Sequence, residues 1–193
     1  MEIASIDQGV AMIVRTDTRE QIRAVAIELF STLGFEKTSL REIAERLGFS
    51  KAALYYHFKS KNELAQSIVY PMKNDIDALI EEGTQGAIQP RDFFIRFFNI
   101  YYVHQDVFHI LLRDASVLTA VDLEVWSREW LKASETILVG NTPTPEQRVR
   151  VLSAMAGLSR AVVLVTSLPV DVVRSAAVDA ACGALGVAGP AGC

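Results

Sequence analysis

The chain has little cysteine, proline or histidine: of 193 residues, two are Cys, six Pro and three His. Cys182 and Cys193 lie outside any CxxC pair and have no histidines at a ligand spacing, so neither a zinc site nor a disulfide framework is expected. No uncharged run reaches the roughly 18 apolar residues that a membrane span needs, and the most apolar stretch, 161–170, is far shorter. A basic signal-peptide n-region is also missing, and together with two thiols this predicts a cytoplasmic protein with no membrane partner. There is no G-x-S-x-G elbow, no Gly-rich phosphate loop and no HExxH pairing. The expectation is therefore no catalytic residue, no metal and no cofactor.

Positive charge is scarce overall, with a formal net charge of -4. Its distribution is uneven. Between Arg15 and Glu63 nine Lys or Arg stand against seven Asp or Glu, a net of +2, whereas the remainder has ten against sixteen, a net of -6. So small a basic excess points to local contacts with phosphate and not to a broad positive field. Half of the residues are hydrophobic, which excludes wholesale disorder and supplies a sizeable core.

The stretch from Thr38 to Lys61, TSLREIAERLGFSKAALYYHFKSK, carries the clearest local signals. Ser39 and Glu42 form a capping box, and Leu40, Ile43, Ala44 and Leu47 recur at helical spacing until Gly48. Ser50 is a second N-cap, opening a helix whose Leu54 and Phe58 face inward. Two helices joined by a tight turn containing Gly make a helix-turn-helix, whose second helix enters the DNA major groove. Lys51 suits phosphate or guanine, Ala52 and Ala53 allow close approach to base edges, and Tyr55, Tyr56, His57, Lys59 and Lys61 suit phosphates. Ser60 with Glu63 caps the next helix.

The run IAERLGFSKAALYYHFKSKNEL resembles the DNA-binding signature of the tetracycline-repressor (TetR) family. The resemblance implies that Arg41, Lys51, Ala52 and Ala53 face the groove, and that Tyr55, Tyr56, His57 and Lys61 mainly contact phosphate. Ser39 and Ser50, at the two helix starts, complete the expected DNA-binding set. The match covers about Thr18 to Leu64; beyond it the likeness rests on helix count and order.

Elsewhere the chain reads as helices. Residues 1–14 lack caps and read as a mobile N-terminal arm. Thr18 to Gln21 forms a capping box opening the first helix, which stops at Gly34. Pro71 predicts a kink or break near 69–72. Pro90 opens a helix in which Phe93, Phe94, Phe97, Phe98 and Tyr101 cover more than one face, as buried core or as the wall of a cavity. Asp106 reads as the cap of a short helix, and 121–138 as another. Thr144-Pro145-Glu146-Gln147 opens a helix to about Ser167, and Asp171 caps a last one ending near Gly186.

The expected fold is all-α, with about nine helices: a helix-turn-helix DNA-binding domain over 15–63, a ligand-binding and dimerisation domain over 64–186 and a flexible tail over 187–193. Phe93, Phe97, Tyr101, Phe108, Leu112, Trp126 and Trp130, with His109 and Arg113 as polar anchors, are the candidate lining for a small, mostly apolar effector. His104 and His109 are wrongly spaced to share a metal on one helix. Ala154, Gly157 and Ala161 with Ala176, Ala177 and Ala180 form two small-residue faces, which the family likeness implies pair in a homodimer. The resemblance thus implies a repressor released from a near-palindromic double-stranded operator by a small molecule. The alternatives are a helix-turn-helix regulator controlled by a protein partner or by no effector and, least favoured, a helical enzyme using Asp106, His109 and Arg113.

Overall fold

A computed structural model describes the backbone of residues 6–86 and 88–186, and side chains from residue 18 onward. The described residues form ten helices and no strand: α1 (Ile6–Leu33), α2 (Leu40–Leu47), α3 (Lys51–His57), α4 (Lys61–Thr84), α5 (Pro90–Val103), α6 (Gln105–Arg113), α7 (Ser116–Ala120), α8 (Glu124–Val139), α9 (Pro145–Leu164) and α10 (Val170–Leu185).

The chain divides into two compact units. The first takes Met1–Val69 together with Ile110–Val121; the second takes Tyr70–His109 and Asp122–Cys193. Sequence periodicity places a domain boundary at 63/64, but it has no means of assigning 110–121 to the N-terminal unit, because that assignment depends on contacts made far along the chain.

In the first unit, Ile22, Ala26 and Phe30 recur every four residues along α1 and are buried to within 1%. Ile43 and Ala44 of α2, Leu54 of α3 and Phe58 are buried as well, with α1 packed on α2 and α2 on α3. Leu54 and Phe58 are fully buried, so truncating either to Ala costs about 2–5 kcal/mol. Helix α1 does not begin at Thr18: it runs through that residue from Ile6, so the Thr18 box lies inside a helix. Of the expected arm, residues 6–14 are helical and 1–5 lie outside the described residues.

In the second unit, α9 and α10 pair along their length and both pack on α5. The Thr144 cap forms as expected, its hydroxyl accepting the Gln147 N–H while the Gln147 side chain accepts the Thr144 N–H. Four expectations need correction. Helix α4 is continuous through Pro71, so the chain does not break at 69–72. The expected 121–138 helix begins only at Glu124, after a left-handed Asp122 (φ 57) that separates it from the short α7. Asp106 lies inside α6, not at its cap, and Asp171 lies inside α10, where it pairs with Arg174. Finally, Cys182 is buried and disulfide-bonded, not a free thiol. The expected tail, 187–193, lies outside the described residues.

Among the described residues no helix is long and apolar enough to cross a membrane. Nor is any group of three or more His, Cys, Asp or Glu placed to hold a metal ion.

Candidate nucleic-acid interface

The turn between α2 and α3 is built by local capping. Ser39 Oγ accepts the Glu42 N–H at 3.2 Å and donates to Glu42 Oε2 at 2.8 Å, while the Ser39 N–H donates to the same carboxylate oxygen at 2.7 Å. Those bonds hold the Glu42 carboxyl below its ordinary range. Gly48 takes φ 70, a left-handed conformation that a Cβ would strain, and its N–H and that of Phe49 close α2 on Glu45 O and Ala44 O. Ser50 Oγ then accepts the Ala53 N–H at 3.1 Å, which starts α3.

With Leu54 and Phe58 turned inward, the other face of α3 is left in water. Lys51, Ala52, Ala53, Tyr55 and Tyr56 are all exposed, Tyr56 by 78%. The Lys51 ammonium lies 5.5 Å from the Tyr55 ring centroid, and Tyr56 meets His57 edge to face at 5.3 Å. Arg41 is exposed and pairs with Glu45 at 2.7 Å, a weak surface ion pair that an incoming phosphate or base can displace. The structure therefore brings Ser39, Arg41 and the α3 residues together on the helix-turn-helix.

Lys61 differs from the phosphate role that the resemblance implies. Its ammonium turns inward, donating to Phe35 O at 2.8 Å and Glu36 O at 3.3 Å and covering the Phe35 ring at 4.3 Å. Other supports were not singled out from sequence. Thr38 Oγ1 donates to Gly34 O at 2.9 Å, and the Arg19 guanidinium lies 4.4 Å from the Phe58 ring centroid. Asp114 Oδ2 accepts the Phe35 N–H at 2.9 Å, and Arg113 Nη1 donates to Ser31 O at 2.7 Å. Ser116, Phe35 and Glu36 hold the Asp114 carboxyl below its usual range by hydrogen bonding. Only the capping of Thr38 to Gly34 carried a local signal, since the others join residues far apart in the chain.

A family model described as bacterial regulatory proteins, tetR family, matches residues 22–68, which span the helix-turn-helix from Ser39 to Lys61. Residues 22–68 carry the DNA-binding segment of the tetR family. The chain is 46% identical over 52 residues to the HTH-type transcriptional regulator AcrR of Shigella flexneri, covering 27% of this chain and 24% of that protein. It is 41% identical over 54 residues to the class C tetracycline repressor protein of Escherichia coli, covering 28% and 25%. The chain thus matches about a quarter of the length of these curated relatives. A solved transcriptional regulator from Aquifex aeolicus VF5 is similar over 84% of this chain and 96% of its own, at 25% identity and a TM-score of 0.65.

The remaining candidate residues of the chain separate into groups. In the second unit, Phe93, Phe97, Tyr101 and Phe108 are buried, with Trp126 and Trp130 partly covered. Trp126 Nε1 donates to Asp77 Oδ1 at 2.6 Å, and Lys73 pairs with Asp77 Oδ2 at 2.5 Å. Leu112 and Arg113 belong instead to the first unit, where Arg113 is engaged with Ser31. Among the described residues no hydrogen bond or ion pair joins Asp106, His109 and Arg113. The six expected interface residues do come together. Ala154, Gly157, Ala161, Ala176, Ala177 and Ala180 line one apolar groove of about 360 Å³ between α9 and α10.

Proposed function

We propose that the chain is a homodimeric, sequence-specific DNA-binding regulator, a repressor that holds a near-palindromic operator and leaves it when a small, mostly apolar molecule binds the second unit. One observation carries the DNA-binding part. Leu54 and Phe58 are fully buried, so α3 keeps its opposite face, Lys51 to Ala53 with Tyr55 and Tyr56, free for a major groove. Small residues between a cation and two phenols allow close approach to base edges while the longer side chains reach phosphate.

The apolar groove between α9 and α10 supports the dimer. Leu152, Leu164 and Val172 on these helices and Leu168 between them are each more than half exposed, a larger apolar surface than a monomer keeps in water without use. A two-fold pair of this kind presents two recognition helices to two half-sites. Release requires that the effector bind the DNA-incompetent conformation more tightly than the DNA-bound one. The DNA-binding unit is then 15–63 with its supports, the regulatory unit 64–186, and the setting the cytoplasm.

Selection from a random duplex pool with purified protein, at a stated salt concentration, tests this reading. Enrichment of an inverted repeat is the expected result. No enrichment at low salt rules out the regulator.

A further inference from the structure

Cys182 of α10 is 3% exposed and is joined in a disulfide. The chain has one other cysteine, Cys193, so the bond closes the chain on itself over 182–193. The ring starts on the last turn of α10. Cys182 O, with Gly183 O, accepts the N–H of Gly186, whose left-handed φ of 77 ends the helix. Arg150 of α9 donates to Ala184 O at 3.3 Å, tying that same turn to α9. Ala181 and Ala184, on either side of Cys182 in the sequence, line the groove between the two helices.

The regulator described so far has no use for this bond. The cytoplasm, the setting proposed above, holds thiols reduced, and a disulfide there is as a rule transient and either catalytic or redox-sensing. The sulfurs have no metal to serve, as no group of three or more His, Cys, Asp or Glu among the described residues is placed to hold one. Burial disfavours the thiolate of Cys182, which leaves the first attack on an oxidant to Cys193.

We propose that Cys182 and Cys193 are a redox pair, closed by a peroxide and opened by a thiol, which when oxidised fixes the end of α10 against α9 and tightens the dimer. The Cys193 thiolate attacks one peroxide oxygen; the O–O bond breaks, and the leaving hydroxide takes up a proton as water. The sulfur of Cys182 then displaces hydroxide from the Cys193 sulfenic acid, its own proton completing a second water as the S–S bond forms. The two thiols lose two electrons and two protons, and the peroxide is reduced to two waters. The closed ring removes conformations from the unfolded chain and holds the last turn of α10, which the groove needs in place. The proposal rests on the dimeric, cytoplasmic reading above and gives its interface a redox control.

Hydrogen peroxide and dithiothreitol test it on the full chain. Trypsin leaves both cysteines on one peptide, since no Lys or Arg follows Arg174. After peroxide that peptide should be lighter by two hydrogens and refuse iodoacetamide, and dithiothreitol should restore both alkylation sites. The oxidised protein should melt about 4–12 °C above the reduced one. Its dimer should dissociate about tenfold less readily in sedimentation. Cys193→Ser should melt with the reduced protein and respond to neither reagent. Absence of the intrachain bond, a Tm that does not depend on redox state, or a dimer equally strong in both states would each overturn the proposal.

No DNA enters these measurements, and the native comparison does not depend on any variant folding. Monomer in both states overturns the dimer reading and the tightening with it, and the Tm difference alone then decides whether the pair holds α10. Operator selection that fails beside a redox-dependent dimer counts against the regulator and leaves the pair standing.

Discussion

Asp114 accepts the backbone N–H of Phe35 across 79 residues of sequence, at 2.9 Å. Phe35 lies in the turn that separates α1 from α2, and its ring stacks edge to face on Phe30 at 5.1 Å. The same turn is held from the other side by the Lys61 ammonium on Phe35 O. The geometry of the helix-turn-helix thus depends on a carboxylate from the segment just after α6.

Truncating Asp114→Ala removes that acceptor, and that of the Ser116 hydroxyl and N–H. The expected loss is about 1–3 kcal/mol, seen as a fall in Tm of about 2–12 °C in a chain of this size. Calorimetry at neutral pH checks it; an unchanged Tm means that water replaces the carboxylate without cost.

The pH dependence of this contact has a definite sign. Hydrogen bonds to Ser116, Phe35 and Glu36 lower the folded-state pKa of Asp114 below its unfolded value. Its contribution is therefore complete above the ordinary carboxylate range and is lost as pH falls through the depressed value. Urea midpoints followed from neutral pH downward should fall less steeply in Asp114→Asn than in the native protein.

Lys61→Ala should lower stability by about 1–2 kcal/mol, because a charged donor to two carbonyl oxygens is lost. If the inward position persists on DNA, the dependence of log affinity on log salt stays the same. A slope shallower by about 0.9 would instead return Lys61 to the phosphate contacts.

Lys51→Ala and Tyr56→Phe should separate base reading from backbone contact. Lys51→Ala should change the preferred operator sequence and cost about 1–3 kcal/mol at the position it reads. Tyr56→Phe should weaken binding to all operators by a similar factor, since the family resemblance gives this exposed hydroxyl a phosphate contact. Repeating the pool selection with each variant distinguishes the two.

Ala177→Glu puts a carboxylate into the groove between α9 and α10. Burying that charge unpaired in a dimer interface costs about 2–5 kcal/mol, so sedimentation should show dissociation to monomers with helix content retained. A dimer that persists at micromolar concentration places the interface elsewhere.

Much of the DNA-binding unit is legible in its residues because its structure is local. The Ser39 and Ser50 caps, the Gly48 stop and the inward turn of Leu54 and Phe58 each follow from a few adjacent side chains. The six small residues of α9 and α10 were legible for a similar reason: helical spacing alone puts each set on one face, and the groove forms where the faces meet. Thr18 misled because a capping sequence starts a helix only if the chain before it is not helical, and α1 begins at Ile6. Pro71 misled because neighbouring packing can hold a helix together across one missing hydrogen bond.

The amino-acid sequence by itself determined that the chain is all-helical, where its helix-turn-helix lies and which face of α3 meets solvent. These follow from hydrophobic spacing and capping, which act over three or four residues. Only the tertiary structure decided that Arg113 and Asp114 serve the unit that holds the helix-turn-helix, and that Lys61 turns inward. A hydrogen bond between residues distant in the chain leaves no periodic trace.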